Sequence, residues 1–104
     1  MKYDLIVIGS GPGGYTAAVR AAQYKLKVAV VEKEELGGVC LNWGCIPTKS
    51  LIKSAQVFNY INHASDYGIN IRGEAQVDFN SVIKRSRTIS EKVSKGISYL
   101  FKKN

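Results

Sequence analysis

The chain has 104 residues, of which 45% are hydrophobic, 10% aromatic and 22% charged. This length allows one ordinary domain, and the composition excludes a disordered tail, a collagen-like repeat and a low-complexity scaffold. Fifteen Lys and Arg against eight Asp and Glu give a net charge of +7, which is compatible with a polyanionic partner but bears first on solubility.

The N-terminus and the cysteine content favour a soluble cytoplasmic protein. The first four residues, Met1 to Asp4, lack the charged and then apolar run of a signal peptide. The apolar stretch Leu5–Ile8 is four residues long, whereas a bilayer span needs about 20. Two cysteines cannot define a disulfide-rich secreted scaffold. We therefore expect no membrane association.

The first third of the chain predicts a β-α-β unit. Residues 3–8 predict a strand, since their run Leu5–Ile8 is aliphatic without alternation, which is typical of a strand covered on both faces. Pro12 can begin a helix that small and helix-forming residues extend to Gln23. The run Val28–Val31 predicts a second buried strand that ends at Glu32. The two strands should be parallel, with a right-handed crossover.

The rest of the chain predicts a loop, a helix, a weak strand and a long helix. Residues 34–49 have the composition of a loop, and Pro47 is placed to begin a helix that continues to about Asn62. Residues 68–77 are weakly strand-like. From Asp78 onward, apolar residues recur at helical spacing and predict an amphipathic helix of about 24 residues, or about 36 Å.

A glycine motif, Gly9-Ser10-Gly11-Pro12-Gly13-Gly14, lies between the first strand and the first helix. In this motif Gly9 permits a tight turn, Gly11 lets the backbone approach a pyrophosphate and Gly14 allows close packing of helix on strand. Glu32 follows 18 residues later, where a carboxylate can bind ribose hydroxyls. The motif predicts a dinucleotide site but does not distinguish FAD from NAD. The alternative is a flexible turn between buried elements.

A second motif spans residues 37–49 and contains Cys40 and Cys45. A purely structural disulfide closing so short a loop would contribute only about 2 kcal/mol, and a pair of buried thiols is a further alternative. Zinc is disfavoured because two cysteines and the distant His63 fall short of four ligands, so no metal site is predicted. Positions five apart diverge by about 140° in a regular helix, so a bridge requires a distorted turn, which Gly44 and Pro47 can permit.

The two motifs together favour FAD as the dinucleotide. A dithiol does not readily pass a hydride directly to nicotinamide, whereas a flavin accepts two electrons from a thiolate and returns them as hydride.

The two motifs and Glu32 resemble the flavin-dependent pyridine nucleotide–disulfide oxidoreductases over the whole chain. Within this family the block Gly37-Gly38-Val39-Cys40-Leu41-Asn42-Trp43-Gly44-Cys45-Ile46-Pro47-Thr48-Lys49 is most similar to the branch that oxidises dihydrolipoamide, since relatives acting on glutathione or mercuric ion usually carry Val after the first cysteine. The resemblance implies an α/β, Rossmann-like, three-layer FAD-binding fold with a parallel sheet, truncated at its C-terminal end.

The resemblance also implies roles for individual residues. Cys40 would exchange with the dithiol substrate, and Cys45 would be the charge-transfer thiol beside the flavin. Lys49 would contact an FAD phosphate; its alternative is a solvated helix lysine. The residues expected at the cofactor are Gly9, Gly11, Pro12, Gly13, Gly14, Glu32, Lys33, Gly38, Val39, Cys40, Cys45 and Lys49.

Members of the family are several times longer than this chain. We therefore expect residues 1–104 to form the N-terminal part of an FAD-binding domain, without the NAD, central and interface domains and inactive alone. The intact enzyme would use NAD as co-substrate, dimerise, and act on lipoyl domains of 2-oxo acid dehydrogenase complexes. His63 does not match the family's acid–base histidine and is expected at the surface.

Alternative functions remain open at this point. The chain could come from a glutathione or mercuric reductase type of the same family, or be a stand-alone nucleotide-binding thiol redox sensor. A nucleic-acid binder is a third alternative, which the scattered basic residues of the last helix do not favour. A solvated or subunit-facing surface is the preferred interpretation of Lys84, Arg85, Arg87, Lys92 and Lys95.

Overall fold

A computed structural model describes residues 1–104. The elements in chain order are β1 (Leu5–Ile8), α1 (Pro12–Gln23), β2 (Val28–Val31), α2 (Gly38–Asn42), α3 (Cys45–Asn62), a 3₁₀ turn (Ala64–Tyr67) and α4 (Phe79–Lys103). None of these helices is long and apolar enough to cross a membrane.

The predicted β-α-β unit is confirmed. Strands β1 and β2 are parallel, with Leu5 opposite Val28 and Ile8 opposite Val31. Helix α1 begins at Pro12, where a missing N–H costs nothing, and packs against both strands. Its Ala18 and Ala21 are buried, since small side chains let the helix approach the sheet closely. The parallel, Rossmann-like α/β class expected from the sequence is therefore present.

The expectation that both strands are covered on both faces is wrong in this chain. Leu5 and Val7 are half-buried, but Ile6 is 57% and Ile8 85% exposed. The sheet has only two strands, and the side of β1 opposite to these half-buried residues stays open. An unbroken aliphatic run thus produces a strand with one open apolar face.

The predicted loop over residues 34–49 is wrong, because the cysteine motif is mostly helical. Helix α2 occupies Gly38–Asn42, and α3 begins at Cys45, two residues before Pro47. Proline fits in the first turn because its N–H would have no partner there. The short α2 is stabilised by burial of Leu41 and by the Asn42 side chain, whose Nδ2 donates to the Leu36 and Gly38 carbonyls at 3.1 and 2.9 Å.

The weak strand expected over residues 68–77 does not form. Gly68 and Gly73 have φ of +74° and +84°, which is left-handed backbone that interrupts a strand. The sheet contains β1 and β2 alone, so no third strand pairs with this segment.

The long amphipathic helix is confirmed as α4, with 25 residues. Asp78 caps it by accepting a hydrogen bond from the Ser81 N–H at 3.2 Å. The side of α4 that packs on α2 and α3 buries Ser86, Ser90 and Ile97. Small buried serines let the helices approach closely, which places polar side chains of α4 beside the cysteine motif.

Candidate functional site

The glycine motif connects β1 to α1 at the carboxyl end of the parallel strands. The N–H of Gly9 donates to the Val31 carbonyl at 2.8 Å, which fixes the start of the loop. No side chain caps the N-terminus of α1, and its first turn holds no acidic residue. Uncapped backbone donors and the positive end of the helix dipole suit a phosphate.

The glycine loop is open at two positions and closely packed at a third. A Cβ added at Gly11 or Gly13 meets no atom within 4 Å, whereas a Cβ at Gly14 collides with the Gly9 carbonyl. Gly14 is therefore required for packing within the chain, and Gly11 leaves open space that a ligand can fill. The assignment of these residues to a cofactor stays a prediction.

Ser10, at a variable position of the motif, is fully buried and links three segments. Its N–H donates to Glu32 Oε2 at 2.9 Å, and its hydroxyl donates to the same oxygen. The Gly37 N–H in turn points at Ser10, 3.0 Å from its carbonyl oxygen and 3.2 Å from Oγ. One residue thus joins the glycine loop, the end of β2 and the start of the cysteine motif.

Glu32 is held as a carboxylate by these contacts. The Ser10 hydroxyl, the Ser10 N–H and the Glu34 N–H lower the pKa of Glu32 from 4.5 to about 2. Two of these donors bind Oε2, and Glu34 binds Oε1 at 3.1 Å. A carboxylate has about four acceptor positions, so Oε1 can still accept a ribose hydroxyl. Its negative charge would repel a 2′-phosphate.

Cys40 and Cys45 form a disulfide across the break between α2 and α3, with their Cα atoms 4.5 Å apart. The break occurs at Gly44, where an added Cβ would lie 3.0 Å from the Val39 carbonyl oxygen and 3.3 Å from the Cys40 Cα. Any other residue would push the start of α3 away from α2. The distorted turn required for the bridge is therefore present at Gly44.

The two sulfurs have different surroundings. Cys40 lies in α2 and is half-buried, whereas Cys45 is exposed as the first residue of the 18-residue α3. No side chain caps α3, and its first turn holds no acidic residue. A thiolate of Cys45 would be stabilised by the free N–H groups and dipole of that helix end.

The disulfide motif and the glycine motif touch each other. Gly38, the first residue of α2, has φ of +65°, and a Cβ there would lie 2.8 Å from the Gly11 Cα. Only glycine fits this conformation at so close a contact. The disulfide therefore begins two residues after a direct contact with the loop that is predicted to bind pyrophosphate.

The remaining predicted cofactor residues lie at the surface of the chain. Lys33, Val39 and Lys49 are exposed, and Lys49 forms no side-chain hydrogen bond within the chain. Their cofactor roles stay predictions. His63 is exposed, with Nδ1 2.9 Å from the Asn59 carbonyl, as expected for a surface histidine.

Two of the basic residues on α4 also donate hydrogen bonds within the chain, although Arg85 is exposed as predicted. Arg87 donates to the Asn42 carbonyl at 2.8 Å, and Arg85 donates to the Ser50 carbonyl and hydroxyl at 3.2 and 3.0 Å. These guanidinium groups therefore bind the backbone of α2 and α3 in addition to facing solvent. Lys84, Lys92 and Lys95 are exposed as predicted.

Several residues at the site were not identified from the sequence. These are Ser10, Asn42, Arg87 and Ser94, whose hydroxyl donates to the Leu36 carbonyl at 2.7 Å. Only Ser10 and Asn42 carry a sequence signal, since they lie inside the two motifs. The other two act across at least 45 residues of chain, which periodicity does not reveal.

The sequence of this chain matches a known family and named relatives. The family model described as pyridine nucleotide-disulphide oxidoreductase matches residues 3–104. The chain is 53% identical over 103 residues to a dihydrolipoyl dehydrogenase of Rhizobium etli, with 99% of this chain and 21% of the relative aligned. It is 48% identical to proteins of the same name from Acholeplasma laidlawii and Mycoplasma genitalium, of which it covers 31% and 22%. The chain thus spans roughly a fifth to a third of the length of these relatives.

The Ser10 hydrogen bonds make a pH-dependent contribution to stability. Because the folded-state pKa of Glu32, about 2, lies below the ordinary 4.5, this contribution is full above pH 4.5 and is lost as the pH falls towards 2. We expect Ser10→Ala, which removes the largest cause, to raise the pKa of Glu32 and to reduce this acid-dependent loss.

The pKa can be measured by NMR titration of the Glu32 side-chain carboxyl carbon in both proteins. Ser54→Ala is the matched control, since Ser54 forms no hydrogen bond with Glu32. An unchanged Glu32 pKa in Ser10→Ala would contradict the assignment.

Proposed function

The chain belongs to the pyridine nucleotide-disulphide oxidoreductase family, and from this premise we propose that residues 1–104 open the FAD-binding domain of a dihydrolipoyl dehydrogenase. In that flavoprotein the Cys40–Cys45 disulfide would oxidise protein-bound dihydrolipoamide, and the electrons would leave to NAD⁺. The names of the relatives support this substrate, and so does Leu41 after the first cysteine.

The observation that carries the proposal is the contact between the two motifs. Gly38 lies against Gly11, and the Gly37 N–H donates to Ser10. A dinucleotide whose pyrophosphate rests on Gly11 therefore lies beside the helix that bears Cys40. A purely structural bridge needs no such contact with a dinucleotide loop.

The residues of this chain fit FAD in three places. The N-terminus of α1 offers backbone donors to the pyrophosphate, Glu32 keeps an acceptor position for ribose hydroxyls, and the disulfide lies at the exposed start of α3. When bound, the flavin accepts two electrons from a thiolate and passes them on as hydride. Lys49, exposed one turn into α3, would reach an FAD phosphate.

The chain's own part of the reaction is thiol–disulfide exchange. A substrate thiolate attacks Cys40 Sγ, the S–S bond breaks, and Cys45 leaves as a thiolate. The second substrate thiol then attacks the mixed disulfide and releases Cys40 as a thiol. The substrate has lost two electrons and become a disulfide, and the protein holds them as two reduced cysteines. The start of α3 stabilises the Cys45 thiolate.

The rest of the catalytic machinery is placed outside these residues. His63 is hydrogen-bonded to the carbonyl at the preceding turn of its own helix, so it is not assigned as the acid–base group. We propose that the NAD site, the acid–base pair and the dimer interface belong to further domains, and that lipoyl domains of 2-oxo acid dehydrogenase complexes supply the substrate.

The first test concerns Gly11. In the flavoprotein that contains this segment, Gly11→Val should abolish FAD binding while leaving the fold intact, because a Cβ at this position enters open space with no protein atom within 4 Å. The measurement is flavin absorbance per protein, with circular dichroism to check folding.

Gly96→Val is the matched control, since Gly96 also has open space around it but lies on α4. Its flavin content should equal that of the parent. A Gly11→Val protein with normal flavin content would refute the position assigned to the pyrophosphate.

The second test concerns the two sulfurs. Cys45→Ser should abolish the long-wavelength thiolate–flavin absorbance that follows two-electron reduction, since Cys45 is assigned as the sulfur beside the flavin. Cys40→Ser, which cannot form the disulfide and leaves Cys45 as a free thiol, should show that absorbance before any reduction and lose it when dithionite reduces the flavin. Titration with dithionite under anaerobic conditions measures both, and the reverse pattern would exchange the two roles.

A further inference from the structure

Helix α4 donates hydrogen bonds to the cysteine motif on both sides of the bend at Gly44. Arg87 donates to the carbonyl of Asn42, the last residue of α2, at 2.8 Å. Arg85, two residues earlier, donates to the carbonyl and hydroxyl of Ser50 in α3. The bend at Gly44 lies between these two anchored positions, and so does Cys45.

The Arg87 contact has the features of a strong hydrogen bond. The Asn42 carbonyl is at the C-terminal end of α2, where carbonyls lack partners within the helix and carry the negative end of its dipole. The donor is a cation, and Arg87 is half-buried, so water screens the contact only in part. The Asn42 side chain is already committed to the Leu36 and Gly38 carbonyls. Arg87 therefore fixes the last residue of α2 from outside the motif.

We propose that Arg87 is a positioning residue that sets the redox equilibrium of the Cys40–Cys45 pair. It is anchored to backbone, and its contact does not involve either sulfur, so it persists when the S–S bond is broken. The reduced cysteines then keep the close spacing seen in the disulfide, with Cα atoms 4.5 Å apart. A high effective concentration of one thiol near the other favours re-formation of the bridge, so Arg87 shifts the equilibrium towards the oxidised form.

This inference rests on the proposed function only in treating Cys40–Cys45 as a working redox couple. Its test needs no flavin, since glutathione can serve as the reductant. One glutathione thiolate attacks the disulfide, a second releases the mixed disulfide, and glutathione disulfide leaves while the protein gains two thiols. Failure to bind FAD would therefore refute the proposed function. The role of Arg87 would still be tested by the redox equilibrium with glutathione.

The experiment compares the protein that contains this segment, in its flavin-free form, with its Arg87→Met, Arg87→Lys and Lys92→Met variants. Each protein is equilibrated in glutathione buffers of graded composition, quenched by alkylation, and its oxidised fraction read by mass spectrometry. Lys92→Met is the matched control, because it removes one positive charge from an exposed position of α4 that donates no side-chain hydrogen bond. Circular dichroism and a thermal melt of each protein report folding separately.

We expect Arg87→Met to make the disulfide about tenfold easier to reduce, which corresponds to about 30 mV. Lys92→Met should stay within about twofold of the parent. Arg87→Lys keeps the charge but not the planar guanidinium that donates to the Asn42 carbonyl, so its shift should lie between those of the parent and Arg87→Met. If Arg87→Met does not fold, Arg87→Gln takes its place with the same expectation.

Two results would overturn the proposal. A loss of thermal stability in Arg87→Met with a redox equilibrium equal to that of Lys92→Met would make Arg87 a structural residue only. An Arg87→Met protein that is harder to reduce than the parent would show that Arg87 does not favour the oxidised form.

Discussion

The arrangement of this chain depends on the hydrogen bonds made by the buried residue Ser10. Its N–H and hydroxyl both bind one oxygen of Glu32, and its carbonyl and hydroxyl oxygens both face the Gly37 N–H. Burying a polar group without a hydrogen-bond partner costs free energy, so these bonds favour keeping the three segments together. A cooperative polar network of this kind gives one arrangement of the loop, the acid and the cysteine motif.

Hydrogen bonds between distant segments also hold the rest of the fold, which has only a small apolar core. The buried hydrophobic residues are few, namely Ala18, Ala21, Leu41, Ala64 and Ile97, and the chain measures 66 × 25 × 18 Å. What holds α4 to the cysteine helices includes hydrogen bonds from side chains to backbone carbonyls, such as Ser94 to Leu36 and Arg87 to Asn42. Such directional bonds fix the relative positions of these segments, and thiol exchange depends on how the two sulfurs are positioned.

The sequence predicts those parts of the structure that depend on local pattern. The β-α-β unit and α4 follow from hydrophobic runs, helical spacing and the position of Pro12, and each is confirmed. The composition of residues 34–49 predicts a loop, whereas tertiary burial of Leu41 stabilises helix α2 within it. The missing strand at residues 68–77 had no partner strand to pair with, which no local pattern can report.

The site divides in the same way. The cysteines, glycines and Glu32 can be predicted because two motifs with characteristic spacing contain or flank them. The roles of Ser10 and Arg87 cannot, since they depend on contacts with residues 22 and 45 positions away in the chain. The most direct measurement of the central claim is native-state hydrogen exchange of the Ser10 and Gly37 amides. The account predicts that both open together with one free energy, and that Glu32→Gln speeds both by a similar factor. A Gly37 amide that exchanges independently of Ser10 would contradict it.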